Sequence, residues 1–87
     1  QNYPNPFNPV TNIKFDIPKR SNVTLKVFDV TGRIVTEIYN ALSEPGVYTA
    51  DFDAVNLASG IYYYEIAATT ESGNMLFRDV KKMVLLK

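Results

Sequence analysis

The chain has no cysteine, no histidine and no tryptophan among its 87 residues. Without cysteine there are no disulfides and no thiolate sites, so the core alone must hold the fold. Without histidine, the common zinc sites, the Ser-His-Asp triad and the histidine general base are all excluded. Net charge is absent too. Nine basic and nine acidic residues cancel, which leaves no overall field to draw in nucleic acid or an anionic membrane. No apolar run approaches the roughly 18–20 residues of a membrane-spanning helix, and no segment has the layout of a signal peptide. The first residue is Gln1 rather than Met, so we expect a piece of a longer chain whose export signal lies elsewhere.

What is present suffices for one small core. Hydrophobic residues at 46% and charged residues at 21% are globular proportions and predict a folded domain, not a disordered tail. A chain of this size buries only about 60–65% of its unfolded surface, so its stability margin should be thin.

Short alternating stretches recur along the chain, separated by turn signals. Residues 12–17 put Ile13, Phe15 and Ile17 on one face, against Lys14 and Asp16, and Pro18 closes them. Residues 23–28 repeat the pattern, with Val23, Leu25 and Val27 inward. Asp29-Val30-Thr31-Gly32 then reads as a hairpin turn in which Gly32 takes positive φ. In residues 34–39 Val35 and Ile38 have opposite parity. Strict alternation cannot bury both, so a bulge is expected there. Ser43-Glu44-Pro45-Gly46 is a turn, and residues 47–52 aim Tyr48, Ala50 and Phe52 one way. Residues 53–60 connect, with Leu57 as an apolar peg, and residues 61–68 are strongly β-prone. After the turn Glu71-Ser72-Gly73-Asn74, residues 75–86 form one long strand or two short ones broken near Asp79. Six or seven strands and no helix predict an all-β, immunoglobulin-like sandwich of about seven strands with Greek-key connections. A small barrel is the alternative architecture.

Several segments have both a structural and a functional reading. Tyr62 stands where immunoglobulin domains carry a corner tyrosine, and Tyr64 stands in place of the second core cysteine. The Tyr62 hydroxyl is expected to bond backbone around Asn56 or Leu57. Asp51, Asp53 and Asn56 cluster oxygen atoms, but they lack the glycine and distal glutamate of a calcium loop. Asp51 and Asp53 form an ordinary i, i+2 strand pair without a second catalytic motif. The sequon Asn22-Val23-Thr24 is read as coincidence. At the start, Asn2-Tyr3-Pro4-Asn5-Pro6-Phe7-Asn8-Pro9 loses three amide donors to proline and cannot be a central strand. It reads as a stiff lead-in over residues 1–10, with Phe7 plugging one end of a sandwich built from residues 11–87. In the last strand Met83 and Leu85 share one face, Val84 and Leu86 the other. An edge position open to a partner strand is expected, with Lys81, Lys82 and Lys87 restraining self-pairing. The recognition surface is therefore placed at Lys81, Lys82, Met83, Val84, Leu85, Leu86 and Lys87.

Four blocks, in this order, resemble the type A C-terminal sorting domain of the type IX secretion system. They are the opening Asn2-Tyr3-Pro4-Asn5-Pro6-Phe7-Asn8-Pro9, the turn Asp29-Val30-Thr31-Gly32-Arg33, the central Asn56-Leu57-Ala58-Ser59-Gly60-Ile61-Tyr62, and the terminal Lys82-Met83-Val84-Leu85-Leu86-Lys87. The resemblance implies a seven-stranded sandwich at the end of a secreted enzyme or adhesin; with no histidine, no cysteine and no acid–base pair, the domain itself is expected to perform no catalysis and to need no cofactor. It implies an upstream cargo domain in the same chain, recognition by the outer-membrane translocon and handling by a surface sorting peptidase. The cargo would reach the cell surface or be released by way of the periplasm. On this resemblance Lys87 is expected to be the natural C-terminus. Related modules occur in flagellar hook-capping proteins, so an inert structural spacer is one rival reading. A carbohydrate-binding sandwich using Tyr39, Tyr48 or Tyr63 is the other.

Overall fold

A computed structural model describes residues 10–86. The proline-rich lead-in, with its motif residues Asn2, Pro4, Asn5, Pro6, Phe7, Asn8 and Pro9, lies outside the described residues, as does Lys87. Six strands follow one another: β1 (Val10–Ile17), β2 (Ser21–Phe28), β3 (Ile34–Ser43), β4 (Gly46–Asp53), β5 (Gly60–Thr69) and β6 (Met75–Leu85). No helix occurs among the described residues. The strands form two antiparallel sheets, one pairing β1 with β4, the other ordered β3-β2-β5-β6.

The alternation of each strand determines the layering. Ile13, Phe15 and Ile17 from β1 and Ala50 and Phe52 from β4 face Val23, Leu25 and Val27 of β2. Tyr62, Ile66 and Ala68 of β5 and Met83 and Leu85 of β6 complete this core. Each such large side chain withdrawn from water contributes roughly 1.5–3 kcal/mol before the chain's ordering entropy is subtracted. No ladder joins the two sheets among the described residues, so the architecture is two-layered and the small barrel does not form. The buried hydroxyls of Ser21 and Ser43 bond the Lys19 and Ala41 carbonyls at 2.9 and 3.2 Å, so this pairing adds no unsatisfied polar group.

Two connections stay within a sheet. Between β2 and β3, Gly32 N donates to Asp29 O and Asp29 N to Arg33 O, both at 3.0 Å. Gly32 has φ +87°, the left-handed conformation expected of it at this turn. The turn between β5 and β6 is built alike, with Gly73 N to Thr70 O at 2.9 Å and Thr70 N to Asn74 O at 2.8 Å. The remaining connections cross between the sheets, including the Pro45 turn, whose flanking strands β3 and β4 belong to different layers.

The parity conflict in β3 resolves as two bulges, where one was expected. Leu25 pairs with Tyr39 but Lys26 with Glu37, which leaves Ile38 extra; Val27 pairs with Thr36 but Phe28 with Ile34, which leaves Val35 extra. Both extra residues turn onto the core and are half-buried. The other ambiguity is settled differently. Residues 75–85 form a single strand with no break at Asp79, which pairs in register with Ile66. The irregularity falls instead between Ala68 and Thr69, beside the turn. The described residues thus hold six strands, where about seven were expected.

Candidate recognition surface

β6 is the outer strand of its sheet and has β5 as its one neighbour among the described residues. Among the described residues no strand pairs with its other side, the arrangement that accepts an added strand. Its side chains alternate. Phe77, Asp79, Lys81, Met83 and Leu85 point toward the layer of β1 and β4, while Arg78, Val80, Lys82 and Val84 point outward, with Leu86 continuing that parity beyond the strand.

This alternation divides the seven residues expected to form one recognition surface. Met83 is 1% exposed and Leu85 0%, so both are core and no partner can touch them without unfolding the end of the sheet. That takes Met83 and Leu85 out of the expected surface and leaves Lys81, Lys82, Val84 and Leu86 of it among the described residues. Lys81 and Lys82 are exposed, Val84 is half-buried, and Leu86 is 51% exposed. Neither Lys81 nor Lys82 has an ionic partner among the described residues.

On the inner side, the two-stranded layer is too narrow to cover β6. A groove of about 340 Å³ opens between β1 and β6. Ile13, Leu25, Tyr64 and Ile66 line it, and Asp79 and Lys81 of β6 reach into it. Tyr64, in the position of the missing cysteine, is accordingly half-buried at the groove wall. Inward-pointing charges on an edge strand discourage indiscriminate strand pairing.

The central block has a structural role. Tyr62 is buried, and its hydroxyl donates to Ala58 O at 2.8 Å. The corner tyrosine is present, but its partner is Ala58, not Asn56 or Leu57. The preceding residues 54–57 close a turn through Leu57 N to Ala54 O, and the next carbonyl, of Ala58, is the one that accepts from the hydroxyl. Leu57 packs on the core as the expected peg, and Gly60 opens β5 opposite Leu85.

Of the tyrosines suggested for carbohydrate, Tyr39 and Tyr48 pack together, their ring centroids 6.1 Å apart, while Tyr63 stands apart from them. Tyr39 and Tyr48 pack on Phe15, with ring centroids 5.2 and 5.7 Å from it. Their hydroxyls are engaged by Ser43 and by the Glu44 carbonyl, both at 2.7 Å. Tyr63 lies on the far side of the four-stranded sheet. The oxygen cluster is engaged as well: Asp51 accepts from Asn12, and Asp53 accepts from Val55 N at 3.0 Å. No group of three or more metal-binding side chains occurs among the described residues.

One feature escaped the sequence reading. Ile34, Phe28, Tyr63 and Lys82 form a continuous row across all four strands on the outer face. The signal was available as parity: Phe28, Ile61 and Tyr63 are apolar on the side where strict alternation expects polar residues.

The chain matches the model of one family, described as the secretion system C-terminal sorting domain, over residues 1–78. No curated protein and no solved structure matches the chain. The match covers the first three resembling blocks and ends at Arg78, before the Lys82–Lys87 block.

Proposed function

From the premise that this chain belongs to the secretion system C-terminal sorting domain family, we propose that its last strand is the element the type IX machinery reads. The chain is a C-terminal sorting signal of type IX secretion, and proteins that carry it are exported to the cell surface or released. A sorting-signal family is not catalytic, and its members act by interacting with the secretion machinery on behalf of an attached cargo. The observation that carries the proposal is the position of β6 as an outer strand, with exposed Lys81 and Lys82 that have no ionic partner among the described residues. The finer partners in this reading are the outer-membrane translocon, which adds a strand to β6, and a surface sorting peptidase that acts afterwards.

The same reading takes the fold as an immunoglobulin-like sandwich. The β1–β4 pair corresponds to strands B and E, and β3-β2-β5-β6 to C′, C, F and G. The corner tyrosine at the start of β5 supports that correspondence. In this reading the sandwich starts at Val10, the first residue of β1, and the residues before it are the lead-in.

The test is delivery of a reporter fused to residues 1–87 in a host with the type IX machinery. Deleting the end of β6 is a poor probe, because Met83 and Leu85 are core. Proline substitution is better. Successive amides of a strand point to opposite sides, so one of Val80→Pro and Lys81→Pro breaks the ladder to β5 and the other alters the open edge only. The variant that stays folded by circular dichroism should remain in the periplasm. If it reaches the surface as the unsubstituted fusion does, β6 is not read by strand addition.

A further inference from the structure

Nine large hydrophobic side chains are exposed among the described residues, and five of them lie on or beside one end of the outer face: Val30, Ile34, Ile61, Val80 and Leu86. They are not scattered. Ile34 pairs with Phe28, Phe28 with Tyr63 and Ile61 with Val84, so these side chains share one face of adjacent strands. A depression of about 370 Å³ runs through the middle, between Phe28, Val30, Tyr63 and Val80. The Tyr63 hydroxyl makes no hydrogen bond to a described residue, unlike those of Tyr39, Tyr48 and Tyr62. An apolar ring with a free polar tip on a contiguous apolar patch is the composition of an interface centre, whereas scattered surface hydrophobics are not.

The charges around the patch indicate what covers it. Its carboxylates are already engaged: Glu65 by Arg78, and Asp29 by the Thr31 hydroxyl, the turn amides and Arg33. Lys82, at the end of the apolar row, has no ionic partner among the described residues. The face therefore presents an apolar floor with an uncompensated cation at its margin. A second copy of the chain would bring that same cation to a two-fold contact across the patch, where the neighbouring carboxylates are taken; Glu37, on the same face of β3 opposite Lys26, lies away from Lys82 and accepts from Asn40. We propose that the outer face of β2, β5 and β6 is a docking surface for a protein of the secretion machinery whose own contact patch is apolar with a carboxylate at its rim. This contact uses side chains and is separate from strand addition to the backbone of β6, though it rests on the sorting role.

The experiment uses the same reporter fusion. Tyr63→Ser and Val30→Ser each remove an outward side chain. Val30 lies in a turn outside every ladder, so it decides the matter if Tyr63→Ser perturbs the sheet. Lys82→Glu reverses the charge and Lys82→Arg keeps it. Folded Tyr63→Ser, Val30→Ser and Lys82→Glu fusions should each lose about tenfold or more in surface delivery, while Lys82→Arg should be delivered normally. Normal delivery of the folded Tyr63→Ser and Val30→Ser fusions overturns the docking surface, and normal delivery of Lys82→Glu overturns the carboxylate partner. Sedimentation that shows the unsubstituted chain dimeric and Tyr63→Ser monomeric would assign the face to a second copy instead and equally overturn it. The edge proline variant separates the two readings. If it is delivered while the face variants are not, strand addition falls and docking stands; the reverse outcome removes docking alone. An unsubstituted fusion that stays in the periplasm removes both.

Discussion

In the turn between β2 and β3, the Asp29 carboxylate accepts from the Thr31 hydroxyl at 2.6 Å and from the Thr31 and Arg33 amides at 2.9 and 3.1 Å. The Thr31 hydroxyl acts most strongly; it, the two amides and the Arg33 charge together outweigh an opposing desolvation and hold its pKa below the ordinary aspartate value. A folded pKa below the unfolded one means this turn adds stability above the unfolded pKa and loses it as pH falls through the folded one. Acid titration of the fold should therefore show a component that Asp29→Asn abolishes, measured by urea unfolding across the carboxylate range. Arg33 is 82% exposed and 3.8 Å from Asp29, so Arg33→Ala should change little. At Gly32 there is open space for a Cβ, yet φ is +87°. Gly32→Ala should then cost about 1–2 kcal/mol from backbone strain alone. Thr70 repeats the Asp29 device with a hydroxyl, accepting from Asn74 N at 2.9 Å. Tyr62→Phe should cost about 0.5–1.5 kcal/mol in thermal or urea melts, the ordinary net worth of one such hydrogen bond, because it is part-buried and Ala58 is an exposed residue. Tyr63→Phe should be neutral, its hydroxyl having no described partner. These residues were legible in the sequence as turn and corner signals. The Ala58 partner was not, since it depends on how the preceding loop closes.

Strands differ in how fully alternation described them. β1, β2 and β4 follow period two, and their inward residues were read correctly because both strand faces meet clearly different surroundings. β3 defied a single parity, and two bulges supply the missing residues. β6 was read by parity but not by depth, because Met83–Leu86 is apolar on both sides. Which side is core depends on the opposing layer. Met83→Ala and Leu85→Ala should each destabilise by about 2–5 kcal/mol in urea melts, while Leu86→Ala should stay within about 0.5 kcal/mol. Equal effects at positions 85 and 86 would contradict the assignment of β6 faces.

For the whole molecule, the lopsided layering matters most: among the described residues four strands face two, and the β6 edge, the groove beside it and the outer face of the larger sheet lie open to partners. A domain this small has little stability to spare. Variants that weaken the core should therefore lose surface delivery through unfolding, and protease sensitivity should rise in step. Variants on the outer face should lose delivery at unchanged melting temperature, and that pairing of measurements distinguishes folding from recognition. The sequence by itself determined the all-β class, the two glycine turns, the inward residues of most strands and, through its opening, turn and central blocks, the family. Those follow from local chemistry: period-two alternation, positive φ at Gly32, the spacing of Tyr62 from its loop. Only the tertiary structure decided that β3 and β4 part into different layers, that Met83 and Leu85 are core while Lys82 and Val84 look outward, and that Phe28, Tyr63 and Ile34 meet in one row. Each of these depends on which strands become neighbours, and residues far apart in the chain reveal that only once the sheets have paired.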